Sequence, residues 1–166
     1  MKIDSAPALL IDQIRDLYSV ESQVILTLPE LAAKATNSTL KDILTIHEEQ
    51  TLKQKLRLKE AAKLLDENPE GDICKAMQGL IEGGNQHIAI AEGEQVRDMI
   101  LIAHVTRIHH YEIAGYSIIT TLARQLGEEN VHELLTQSLE EEKASLEALT
   151  NAGDLIFGTA APVSTS

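Results

Sequence analysis

The stretch VTRIHHYEIAGY, residues 105–116, holds a contradiction whose resolution points to a fold. Its apolar positions recur at the three-and-four spacing of a helix that buries one stripe. Glu112 nevertheless stands in that stripe: outward from it the seam reads Leu101, Val105, Ile108, Glu112, Gly115, Ile119, Leu122.

The same interruption recurs elsewhere. An early seam reads Leu10, Ile14, Leu17, Glu21, Val24, Leu28, Leu31, and a late one Val131, Leu135, Ser138, Glu142, Ser145, Leu149. Another reads Leu40, Leu44, His47, Thr51, Gln54, Leu58. Each intrusion lies near the middle of its helix. In antiparallel helices of similar length such positions meet at one depth, so Glu21, His47, Glu112 and Glu142 are expected to converge. No Lys or Arg lies in these stripes to neutralise them, although Arg57 borders the second seam. Buried carboxylates cost several kcal/mol each or take up protons. A metal ion is one remedy. Carboxylate with imidazole from facing helices suits iron or manganese, and zinc less distinctively. A hydrogen-bonded polar layer of protonated Glu, Thr51, Gln54, Tyr18 and water is the other.

The rest of the 166-residue chain supports an all-α bundle in one domain over 1–151. Hydrophobic residues make up 43% and aromatics 2%, so the core is aliphatic. A first helix starts near Ser5, tolerates Pro7 in its first turn and is kinked by Pro29. NSTL (37–40) breaks it and starts the second helix. ENPEGD (67–72) is a loop, and a short crossover helix from about Ile73 to Ala91 is weakened by Gly83 and Gly84. A fourth helix runs from about Gln95 to Leu126 and stops at Gly127; a fifth covers about Glu129 to Asn151. The tail, 152–166, is expected to be irregular, although Leu155, Ile156 and Phe157 could dock.

Net charge is −12 and the basic residues are scattered, which argues against nucleic acid and against an anionic membrane surface. No run approaches a membrane span and no signal peptide is evident, so a cytoplasmic protein is expected. Polar groups inside the seams also disfavour an amphipathic lipid binder. Cys74 is the single cysteine, which excludes an internal disulfide.

At these residues the chain resembles the YciF/YciE-type bacterial proteins, a group of unknown function in the ferritin-like superfamily. The resemblance runs from about Ile11 to Leu149. It is carried by DLYSVESQ (16–23), by His47, Thr51 and Gln54, by AMQGLIEGG (76–84), by HYEIAGY (110–116) and by LEEEKAS (139–145). It implies a four-helix ferritin-like bundle with a short helix in the crossover, usually a homodimer, associated with stress responses. It also implies a di-metal centre with no established activity; taken with the seam geometry it points to iron or manganese as cofactor and, if any reaction is catalysed, to oxidation of Fe(II) by oxygen or peroxide. Glu21, Glu112 and Glu142 match ligand-type positions and His47 a family histidine. The chain departs from the pattern at Gln50 and His109, where the family has Glu. Both lie one turn from a candidate ligand, in His47-x-x-Gln50 and His109-x-x-Glu112. The expected metal set is therefore Glu21, His47, Gln50, His109, Glu112 and Glu142, supported by Tyr18, Thr51, Gln54 and His110. His110 lies roughly 160° from Glu112 on a wheel of about 100° per residue, so it is expected to support the site or touch a neighbouring helix. The alternative is a non-catalytic helical dimer whose metal site has degenerated.

Overall fold

The computed structural model describes residues 3–158. They form α1 (Ala6–Lys34), α2 (Ser38–Leu64), α3 (Lys75–Ala89), α4 (Glu94–Gln125) and α5 (Glu129–Gly158). Among the described residues there is no strand.

The helix ends follow from local chemistry. Ser5 caps α1 by accepting from Ala8 N at 3.4 Å, with Pro7 in the first turn, and the helix continues past Pro29 to Lys34. Asn37 caps α2 through Leu40 N at 3.1 Å. The α1–α2 turn is fastened from a distance by buried Asp98, which accepts from Thr36 N, Thr36 Oγ1 and Asn37 N at 2.9, 2.6 and 2.8 Å. Gly127 ends the α4 region at φ +76°, a conformation that costs a residue with a Cβ, and the flanking amides turn back to Arg124 O and Ala123 O.

α1, α2, α4 and α5 form the bundle, with α1 against α2 and α4, and α5 against α2 and α4. α3 lies in the crossover between α2 and α4 and leans mainly on α4. Its glycines have different roles. A Cβ on Gly84 would lie 2.0 Å from His104 Nδ1, so this residue lets the buried imidazole lie on the α3 backbone. Nothing stands within 4 Å of the Gly83 position.

One expectation is corrected here. The helical segment does not end at Asn151: α5 continues to Gly158, with Ala152, Gly153 and Ile156 buried. The three-and-four seam runs on from Leu149 through these residues, and burying it holds the backbone helical. Leu155 and Phe157 point to solvent instead. The remainder of the expected irregular tail, 159–166, lies outside the described residues.

The apolar core falls into two parts. One holds Val24, Leu28, Leu31, Leu40, Leu44, Leu101, Val105 and Leu149. The other holds Leu10, Ile14, Leu17, Leu58, Ala61, Ile119, Val131 and Leu135. Between them, at mid-helix on all four bundle helices, sit the residues that interrupted the seams.

Candidate metal centre

Each bundle helix contributes to this layer. α1 brings Glu21, α2 His47, Thr51 and Gln54, α4 His109 and Glu112, and α5 Ser138 and Glu142; all are buried. His47, His109, Glu112 and Glu142 each offer one donor atom, and these atoms lie within 4.8 Å of one another. His47 Nε2 is 3.6 Å from Glu112 Oε2 and 3.7 Å from Glu142 Oε1. His109 Nδ1 is 2.7 Å from Glu142 Oε2. The two imidazoles stack, their centroids 4.1 Å apart.

Glu21 is buried beside this group rather than within it. Tyr116 donates its hydroxyl to Glu21 Oε1, and Glu21 Oε2 has no partner. Tyr116 is a functional neighbour that the sequence reading missed. The signal was present: Tyr116 lies four residues after Glu112, on the same helix face.

The other expected supports divide. Gln54 donates to Glu142 Oε1 at 2.9 Å and Glu141 Oε2 at 3.3 Å, so it does touch the site. Gln50 is half-buried and accepts from Ser145 Oγ at 2.7 Å. The Thr51 hydroxyl returns to His47 O at 2.9 Å, the usual outlet for a mid-helix threonine. Two expectations are corrected. His110 is exposed, because it falls on the outer face of α4. Tyr18 is half-buried, packs against the second apolar cluster and lies under Lys55 Nζ at 5.0 Å. Three residues before Glu21 leaves it rotated off the inward line, and Tyr116 bonds Glu21 instead. Arg57 pairs with Glu141 through two 2.7 Å hydrogen bonds and reaches Ser138 Oγ at 3.2 Å, bordering the layer without neutralising its three inner carboxyls.

The electrostatics show what the layer lacks. Burial, then the charges of Glu142 and Glu21, push the Glu112 carboxyl well above its ordinary range. Burial and Glu142 push Glu21 up as well, against the Tyr116 hydrogen bond. Burial, with the neighbouring His109, lowers His47 to about 3, leaving a neutral imidazole with the lone pair of one ring nitrogen available. Burial also opposes ionisation of Glu142, but the His109 hydrogen bond, the two imidazoles and Gln54 outweigh it and hold the group at about 2. Both oxygens of Glu112, both ring nitrogens of His47 and Nε2 of His109 lack hydrogen-bond partners. Buried polar atoms are normally satisfied, so this concentration is unusual. Neutral imidazole and carboxylate donors are a chemically suitable set for iron or manganese.

Comparison with known proteins agrees with the fold and with the lineage. Residues 5–160 match the family model described as a domain of unknown function, DUF892. The chain belongs to this family. It is 36% identical over 157 residues to the protein YciF of Escherichia coli K12, spanning 91% of this chain and 92% of that one. The crystal structure of the E. coli stress protein YciF superposes with a TM-score of 0.91 at 34% identity, over 95% of this chain and 99% of that one. YcfI from Rhodopseudomonas palustris, for which a structural role has been put forward, gives 0.87 at 35% identity, over 90% and 95%. A Xanthomonas campestris protein at 19% identity and TM-score 0.73 shares the fold. Among the described residues of this DUF892 chain, no helix is long and apolar enough to cross a membrane.

Proposed function

We propose that this bundle is a metal-binding protein of the bacterial stress response, holding divalent iron or manganese in the layer between its two apolar clusters. One observation carries the reading: fully buried donors on α2, α4 and α5 converge within 4.8 Å, and the oxygens of Glu112 and nitrogens of His47 have no other partner. A bound ion would supply redox chemistry, with Fe(II) as electron donor and oxygen or peroxide as acceptor. The chain's part is to bind and shield. Glu112, Glu142, His47 and His109 hold the ion, Gln54 fixes Glu142, Tyr116 fixes Glu21, and the apolar clusters keep bulk water out. The stress role is drawn from the E. coli relative. Self-association belongs to the reading, since Leu26 on α1 and Leu52 and Leu56 on α2 leave apolar surface exposed.

The test is metal content per chain after anaerobic loading with Fe(II) and desalting. Bound iron is expected in the native protein and none in Glu112→Gln. An empty native protein refutes the reading. It would favour a purely structural helical protein, in which the Gln50–Ser145 and Gln54–Glu142 hydrogen bonds knit the layer without an ion.

A further inference from the structure

Ferritin-like centres commonly hold two ions, with carboxylates from all four helices and one His-bearing motif on each of two. The donor geometry of this chain does not divide that way. Building on the metal-binding reading, we infer that the layer is a single-ion site, with His47, His109, Glu112 and Glu142 as its ligands and Glu21 outside the coordination sphere.

Spacing is the first ground. Donors that share one ion at bonds of roughly 2.0–2.2 Å stand about 3–3.5 Å from their neighbours. His47 Nε2 stands 3.6 Å from Glu112 Oε2 and 3.7 Å from Glu142 Oε1, close to that spacing, and the donors of all four residues lie within 4.8 Å of one another. His109 completes the group. Two imidazoles and two carboxylates then surround one position, where a paired centre divides its histidines between two ions roughly 3.5–4 Å apart.

The fate of the remaining polar groups is the second ground. A second ion needs further donors, and beyond the four ligands only Glu21 Oε2 and Gln54 Oε1, one from a carboxylate and one from an amide, are left without a partner in this layer. One oxygen of Glu21 accepts from Tyr116, leaving Oε2 alone. Gln50 is a neutral amide, and its oxygen already accepts from Ser145 Oγ. Gln54 turns its NH2 toward Glu142 and Glu141, so only its neutral Oε1 is left, a weaker donor than a carboxylate. Glu141 is held by Arg57, which brings positive charge to that side of the layer.

Charge is the third ground. The two carboxylates among the four ligands, Glu112 and Glu142, match the charge of one divalent ion. Two divalent ions bring four positive charges against three from the carboxylates of this layer, Glu21, Glu112 and Glu142. An uncompensated charge in an interior closed by aliphatic side chains is strongly disfavoured.

The experiment is titration of the metal-free protein with Mn(II), read by elemental analysis and by electron paramagnetic resonance. One ion per chain with an isolated-ion hyperfine pattern is expected. Glu21→Gln should keep that stoichiometry and pattern, with affinity reduced by no more than about tenfold, the lower end of the loss from an outer partner. Glu112→Gln should bind none; circular dichroism shows whether it is folded, and if it is not, the native and Glu21→Gln titrations decide. Two exchange-coupled ions per chain in the native protein, or loss of the ion in a folded Glu21→Gln variant, overturns the single-ion assignment while leaving metal binding intact. No ion in the native protein overturns both.

Discussion

Replacing Glu112 by leucine should make the metal-free protein more stable and the metal-loaded one less stable than the native chain. Glu112 is fully buried, and no N–H or hydroxyl group donates to either carboxyl oxygen. A buried unsatisfied polar group costs about 1–3 kcal/mol, and a hydrophobic exchange of similar size usually costs under about 1.5 kcal/mol in repacking. Midway values of about 2 kcal/mol relieved and under about 1 kcal/mol lost leave a net gain without metal of about 1–2 kcal/mol. For a domain of this length, at roughly 2–4 °C per kcal/mol, the melting temperature should rise by about 2–8 °C. With Mn(II) at about 100 times its dissociation constant, the native protein should gain about 2.7 kcal/mol and the variant nothing, so the order reverses. Differential scanning calorimetry of chelator-treated and Mn(II)-loaded samples measures both arms. Glu112→Gln, which keeps a polar group in place, should show little metal-free gain. The reasoning fails if Glu112→Leu melts below the native protein in chelator. It fails equally if Mn(II) stabilises that variant as much as the native chain.

Because burial holds the Glu112 carboxyl above its ordinary range, an ion must displace its proton; Mn(II) affinity should rise with pH, and calorimetry in buffers of different ionisation enthalpy should detect proton release. Burial first, and then the neighbouring Arg107, His87 and Lys34, lower His104 to about 4 from its ordinary 6.5. The unfolded chain therefore takes up this proton before the folded one does, so stability is full above about pH 6.5 and falls as pH drops toward 4. A His104→Gln variant should show a shallower decline of the urea midpoint over that interval. Gly84→Ala, whose Cβ would sit 2.0 Å from the His104 ring, should cost about 1–3 kcal/mol and speed amide exchange in α3. Gly83→Ala, with open space at that position, should stabilise by roughly 0.5–1 kcal/mol, and chemical denaturation of the pair checks both signs.

The sequence alone determined the helical order and the depth at which Glu21, His47, Glu112 and Glu142 meet. Apolar periodicity is a local signal, and a polar residue at mid-seam in matched antiparallel helices has one level to occupy. What each side chain touches there is decided by the neighbours across the layer. Tyr18, one turn before Glu21, is its plausible partner by spacing, yet Tyr116, on the facing α4, bonds it. Gln50 and Gln54 lie one turn apart on α2; one bonds Ser145 and the other Glu142. The helical end of α5 likewise depends on the burial of Ala152 and Ile156, which the chain's own propensity leaves open. A rotation of a few tens of degrees about a helix axis changes a side chain's partner without disturbing its seam. That rotation is set by packing between helices, and only the assembled bundle contains it.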